Sequence, residues 1–169
     1  NRELVRRQDD FENFTVRVLL REPVKAGATF QLVFLYDGSF EKSGRRARSS
    51  VLEIEPYVGT EGAYLPYASK WIPVYRFLTD RASCKIVATV PLGFTAVGPG
   101  RQSPSQSKGV TEIFESDCDQ PVLPGSLVVG QYYPKSLGED GFDVDFLVAE
   151  EYLPACEKIY AALKPYARY

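Results

Sequence analysis

An antiparallel β-sandwich followed by one C-terminal helix is the fold this 169-residue sequence predicts. Three observations carry that expectation. Short apolar segments with period-two alternation recur along the first 149 residues, roughly eight of them at the close spacing of an all-β domain. Twelve prolines and thirteen glycines fall between and around them, where turns are needed. Only residues 150–166 change to helical spacing.

The elements follow in order. In residues 14–20 (FTVRVLL), Phe14, Val16, Val18 and Leu20 alternate with Thr15 and Arg17, which describes a strand with one buried face. Pro23 and Gly27 mark a turn. Residues 29–36 (TFQLVFLY) place Phe30, Leu32, Phe34 and Tyr36 on one face and Val33 and Leu35 on the other, as in an interior strand. Asp37-Gly38 is a turn dipeptide, and residues 41–50 are polar, basic and without period, hence a loop. A short strand at residues 51–55 is broken by Pro56 and the glycines at 59 and 62.

Residues 64–100 then supply a short apolar strand, an aromatic loop interrupted by Pro73, a long alternating strand over residues 82–90, and a Val-Pro-x-Gly-Phe turn into a further strand. Residues 98–109 (GPGRQSPSQSKG) have the composition of a flexible loop. Strands are predicted at residues 110–115, 126–132 and 142–149, the first two separated by a turn-rich stretch with Pro121 and Pro124. In residues 150–166, Leu153, Cys156, Ile159, Tyr160 and Leu163 recur at helical spacing, and Pro154 is tolerated in the first turn. The organisation expected is a sandwich domain over residues 1–149 and a helix over 150–169 that packs on the sandwich or opens a further domain.

Composition excludes several function classes. A hydrophobic content of 44% with 13% aromatics is that of a folded globular chain rather than a disordered one. A formal net charge of −2 gives no electrostatic drive towards nucleic acid or an anionic membrane. No apolar run reaches the roughly 18 residues of a membrane helix, which predicts a soluble chain without membrane insertion. There is no histidine, so serine triads, Cys–His pairs and histidine-ligated zinc sites are all excluded from this chain. Gly98-Pro99-Gly100 leads into Arg101-Gln102-Ser103-Pro104 and not into a helix, so it is no phosphate loop.

The remaining constellations each have an ordinary structural reading. Glu139, Asp140, Asp143 and Asp145 are hard oxygen ligands of the kind calcium takes, but without EF-hand spacing they read as a solvated turn entering a strand. Lys42, Arg45, Arg46 and Arg48 resemble an anion-binding patch, yet acidic residues flank them, and a solvated loop accounts for them. Cys84, Cys118 and Cys156 are widely spaced and odd in number, which argues against a disulfide framework and a cysteine zinc site. Cys118, between Asp117 and Asp119, reads as the exposed thiol, and its acidic neighbours disfavour a nucleophilic thiolate. Cys84 and Cys156 read as small core residues. The cluster Tyr64, Tyr67, Trp71 and Tyr75 either plugs one end of the sandwich or forms a platform for a sugar or peptide side chain.

Four motifs in one order give the chain a further likeness. Pro23 to Gly27 with Tyr36-Asp37-Gly38 gives a hairpin pattern. Ala68-Ser69-Lys70-Trp71-Ile72-Pro73 is followed by a strand ending in Val90-Pro91-Leu92-Gly93-Phe94. A Pro-containing turn at 121–124 precedes Val129-Gly130-Gln131-Tyr132. In this order, over residues 14–160, the chain resembles the amino-terminal β-sandwich domain of zinc metallopeptidases of the aminopeptidase N and leukotriene hydrolase type. Two departures stand out. The family's Cys-x-Asp-Glu-Pro is replaced by Val74-Tyr75-Arg76-Phe77-Leu78, and no Gln or Glu near Tyr64 to Tyr67 matches the residue that anchors a substrate amino group. The family's His-Glu-x-x-His and Gly-x-Met-Glu-Asn motifs are absent.

The resemblance implies a non-catalytic domain, trimmed from a larger polypeptide, that walls the active-site cleft of a zinc aminopeptidase-like protein and shapes peptide access. It places the zinc in a downstream catalytic domain of the parent, with no cofactor in this chain, and gives that domain and a peptide substrate as partners. It also implies an extracytoplasmic setting. Loop position and aromatic content make Trp71, Tyr75 and Arg76 the residues expected to face the cleft. The alternative expectation is a stand-alone β-sandwich module whose aromatic loop binds a glycan or a protein.

Overall fold

A computed structural model of the chain describes residues 6–10, 15–40, 56–66, 68, 71–75, 79–123 and 125–168. The fold is mostly β, in several antiparallel sheets with one C-terminal helix. The chain divides into two compact units, residues 1–39 and 40–169.

In the first unit, β1 (Arg6–Asp10) pairs antiparallel with β2 (Thr15–Leu19), in a register running from Arg6 opposite Leu19 to Asp10 opposite Thr15. The strand expected at residues 29–36 is not formed. Residues 28–39 carry no regular structure, and Phe30, Val33, Leu35 and Tyr36 are exposed. A strand that is apolar on both faces needs a partner along its edge and cover on each side. Among the described residues β2 is paired only to β1, and no strand lies beside 29–36. The basic loop Lys42 to Arg48 and the strand expected at 51–55 lie outside the described residues.

The second unit begins with β3 (Tyr57–Gly59) and β4 (Gly62–Leu65), joined by the turn Thr60-Glu61. The glycines read as breakers are the last and first residues of these two strands. Gly62 has φ +142, and a Cβ there would collide with the carbonyl oxygen of Val129 on the neighbouring strand. Next come β5 (Ala82–Pro91), β6 (Thr95–Val97), β7 (Arg101–Gln102), β8 (Gln106–Lys108), β9 (Thr111–Val122) and β10 (Leu127–Gly130). They form two four-stranded sheets among the described residues. One has the order β3-β4-β10-β6; in the other β9 is flanked by β5 on one edge and by β7 and β8 on the other.

The stretch 98–109, expected as a flexible loop, is therefore tied to β9 through β7 and β8. Side chains add to the ladder: Gln102 Nε2 donates to the Gly98 carbonyl at 2.8 Å, and Ser105 Oγ donates to Glu112 Oε1 at 2.6 Å. Strand β9 is longer than alternation indicated and runs through Pro121; its register with β5 slips between Ala82 and Cys84, opposite residues 118–122. Proline offers no N–H to a ladder, so a strand that contains one commonly bulges there.

Alternation on β5 and β9 sets one face. Ile86 opposes Ser116, Ala88 opposes Phe114 and Val90 opposes Glu112. Val90 and Ser116 on this face, with Leu65, Ala68 and Ala96 from neighbouring segments, belong to the buried core. Gly98 sits against it so closely that a Cβ would strike Ser116 Oγ. On the opposite face Lys85 pairs with Glu115 at 2.5 Å.

Strands β11 (Tyr133–Glu139) and β12 (Phe142–Val148) form a hairpin closed by Asp140-Gly141, both with positive φ (56° and 79°), the dihedrals of a type I′ turn. The C-terminal helix α1 (Cys156–Leu163) lies between 3₁₀ turns at Glu150–Ala155 and Lys164–Arg168. Pro154 falls in the first 3₁₀ turn, as its position required. Leu153, Cys156, Tyr160 and Lys164 form the covered face, whereas Ile159 and Leu163 are exposed. Tyr160 stacks on Phe142 with ring centroids 5.6 Å apart, and its hydroxyl donates to the Phe142 carbonyl at 2.9 Å.

Gly62→Ala is expected to cost about 3 kcal/mol or more, since strain and backbone collision coincide. Gly93→Ala, with φ +89 but open space around it, is expected to cost about 1–2 kcal/mol. Urea unfolding of both variants checks the difference. Tyr160→Phe is expected to lower stability by about 1 kcal/mol and to speed amide exchange in α1 selectively.

Candidate functional site

The aromatic loop leaves β4 at Leu65, which is 7% exposed, and turns around Ala68, which is fully buried. The backbone N–H groups of Trp71 and Ile72 both donate to the Ala68 carbonyl, at 2.9 and 2.7 Å. A small residue is required at 68 because its Cβ lies inside the core while its carbonyl closes the turn. Pro73 then takes the chain out of the turn, since it cannot extend the run of N–H donors.

This construction places Trp71 half-buried and Tyr75 outward, at 70% exposure. The Trp71 Nε1–H is enclosed and has no acceptor among the described residues. A buried indole N–H ordinarily has a partner, so this unpaired donor is a local polar cost of the turn and is not presented to solvent. Trp71 and Tyr75 thus share one anchored loop. Arg76 and Tyr67 lie outside the described residues.

The register adds an aromatic residue that the linear sequence did not bring forward. Tyr57 on β3 is directly opposite Tyr64 on β4, and Val128 and Val97 continue the same cross-strand row through β10 and β6. Side chains in such a row share a face of the sheet. Tyr64 is 39% exposed within it. With Pro56 and the glycines taken as breakers, no linear signal placed Tyr57 in a strand.

The acidic residues are arranged otherwise than a metal site. Glu139 and Asp140 both bond Lys164 at the end of the helix, and the Asp143 carboxylate lies against Gly138, its cross-strand neighbour. These pairings raise the Lys164 ammonium pKa, chiefly through the hydrogen bond to Glu139. Among the described residues, no three His, Cys, Asp or Glu side chains converge as metal ligands. Cys118 is half-buried rather than exposed, Cys84 is half-buried opposite it, and Cys156, the first residue of α1, is fully buried.

Ala68→Val is expected to overpack the turn, cost about 1–3 kcal/mol and shift the fluorescence of Trp71, the single tryptophan of the chain. Emission spectra and urea unfolding of the variant check this. Comparison of the chain with models of protein families, with curated proteins and with solved structures gives no match.

Proposed function

We propose that this chain is a non-catalytic β domain that walls the peptide cleft of a zinc aminopeptidase-like protein and presents the loop carrying Trp71, Tyr75 and Arg76 to the amino-terminal part of a peptide. The observation that carries the reading is the anchored loop itself. It holds a half-buried indole whose N–H lacks an acceptor among the described residues, and four residues on it exposes a tyrosine. A peptide offers side chains that can pack on the exposed Tyr75 ring and on the uncovered part of the Trp71 ring. The ordered motifs at residues 68–73, 90–94 and 121–132 support the same assignment, whereas the hairpin pattern at 23–38 is not matched by a formed strand.

The donor set of this chain does not fit a catalytic zinc. It has no histidine, and the acidic side chains of the β11–β12 turn are engaged by Lys164. The zinc and the hydrolytic step therefore belong to a catalytic domain of the same polypeptide. This chain contributes position and exclusion rather than bond cleavage, in an extracytoplasmic protein. No helix among the described residues is long and apolar enough to cross a membrane.

A second reading has its own observation. The row Tyr57, Tyr64, Val128 and Val97 gives the sheet an aromatic face, which suits a stand-alone module for a glycan or a protein.

Because Trp71 is the only tryptophan, its emission reports directly on the loop. Titration with short peptides bearing a free amino terminus is expected to shift that emission saturably. Tyr75→Ala should weaken the binding about tenfold, the effect of losing one aromatic contact of roughly 1.4 kcal/mol. Saturable binding of oligosaccharides, lost in Tyr64→Ala and retained in Tyr75→Ala, would support the second reading. Absence of any response to peptides would overturn the first. In the full-length protein, alanine at Trp71 and Tyr75 should raise the peptide KM, and unchanged kinetics with unchanged stability would count against a cleft wall.

A further inference from the structure

The geometry points to a reversible disulfide between Cys84 and Cys118, a redox-operated staple across the β5–β9 ladder. The two residues are direct cross-strand partners on adjacent antiparallel strands. Residues so opposed have Cα atoms about 4.5–5.5 Å apart, inside the ~4.4–6.8 Å span of protein disulfides. Both cysteines are free thiols and half-buried on the same face, next in line to Ile86 and Ser116. Separation in sequence hides the pair; the antiparallel register creates it.

The surroundings suit a bond that forms and breaks. Beside the pair, residues 82–84 of β5 face residues 118–122 of β9, so the ladder is irregular and the backbone can adjust to the twist a cross-strand disulfide imposes. Among the described residues the Cys118 thiol makes one long contact, 3.6 Å, to the Gln120 carbonyl. The Cys84 thiol is pushed up in pKa by burial, with Cys118 and Asp117 adding to the effect and a hydrogen bond from the Gly125 backbone opposing it. The influence of Cys118 on Cys84 is what two sulfurs in proximity produce. A raised thiol pKa slows attack by Cys84 on an external disulfide and disfavours spontaneous oxidation.

The chemistry is thiol–disulfide exchange with a low-molecular-weight disulfide RSSR. The thiolate of one cysteine attacks RSSR, forming a mixed protein–SR disulfide and expelling RS⁻, which takes up a proton. The thiolate of the second cysteine attacks the protein sulfur, forms the Cys84–Cys118 bond and expels the second RS⁻. The protein loses two electrons and two protons; RSSR becomes two RSH. The loop so closed contains β6, β7 and β8. Since β5 and β9 belong to one sheet, oxidation fastens that sheet directly, and β6, which pairs with β10 of the other sheet, lies within the closed loop.

The test uses the intact chain in glutathione redox buffers of increasing oxidising strength, with the disulfide glutathione as the probe. Mass spectrometry is expected to show loss of two hydrogens, a Cys84–Cys118 linked peptide, and a free Cys156 thiol. The oxidised chain should melt about 5–10 °C higher, and the gain should vanish on adding reductant. Cys84→Ser and Cys118→Ser should each abolish both changes, while Cys156→Ser should leave the linked peptide in place. A glutathione adduct persisting on either residue without a cross-link, a bond to Cys156, a disulfide between two chains, or no thiol loss would each overturn the proposal. The mass measurement on the unaltered chain stands whether or not a serine variant folds.

Discussion

The antiparallel ladder between β5 and β9 is the interaction on which the larger unit depends. It joins a ten-residue strand to a twelve-residue one, and β9 then gives its other edge to β7 and β8. A strand paired on both edges leaves few backbone groups unsatisfied, so β9 can sit inside its sheet. Its alternation with β5 sets Ile86, Ala88 and Val90 on one face with Phe114 and Ser116. That face needs cover, and Gly98 supplies it because only a residue without Cβ can approach Ser116 so closely. The salt bridge of Lys85 with Glu115 on the other face is exposed and contributes little by comparison.

Two further anchors extend from this centre. Among the described residues the helix is held to the β11–β12 hairpin by the Tyr160 ring and hydroxyl at Phe142, and by ion pairs of Lys164 with Glu139 and Asp140 and of Lys135 with Glu157. The first is a directional contact that excludes water; the second is electrostatic and weakens with salt. The aromatic loop is held by Ala68, whose burial fixes the turn and whose carbonyl orders the backbone of Trp71 and Ile72. A binding surface built on a fixed turn loses less entropy when it is occupied than a free loop would.

Legibility in the sequence followed the range of the interactions. The strands at 15–19, 82–91 and 142–148 were visible because each carries its own alternation, and the helix because Leu153, Cys156 and Tyr160 keep a period near 3.6. The segment 29–36, apolar on both faces, has strand propensity but lacks a partner among the described residues, so propensity alone misleads there. Strands β7, β8 and β11 were missed for the opposite reason. Their sequences are rich in Ser, Gln, Lys, Pro and Gly, and pairing to a neighbour, not side-chain pattern, makes them strands. Of the candidate loop, Trp71 and Tyr75 were legible from composition, whereas the enclosed indole N–H depends on the turn around Ala68.

By itself the sequence determined the β-rich class, the terminal helix, the loop in which the aromatics gather, and the exclusion of histidine-dependent chemistry from this chain. These are properties of composition and short-range period, and neither requires knowing which segments meet. Only the tertiary structure decided that Tyr57 stands beside Tyr64, that residues 98–109 are strapped to β9, and that Cys84 faces Cys118. Each of these follows from strand register, in which a shift of one residue would turn every side chain to the other face. Register is set by the summed pairing and burial of whole strands, here including a slip between Ala82 and Cys84. No local stretch of the sequence contains that sum.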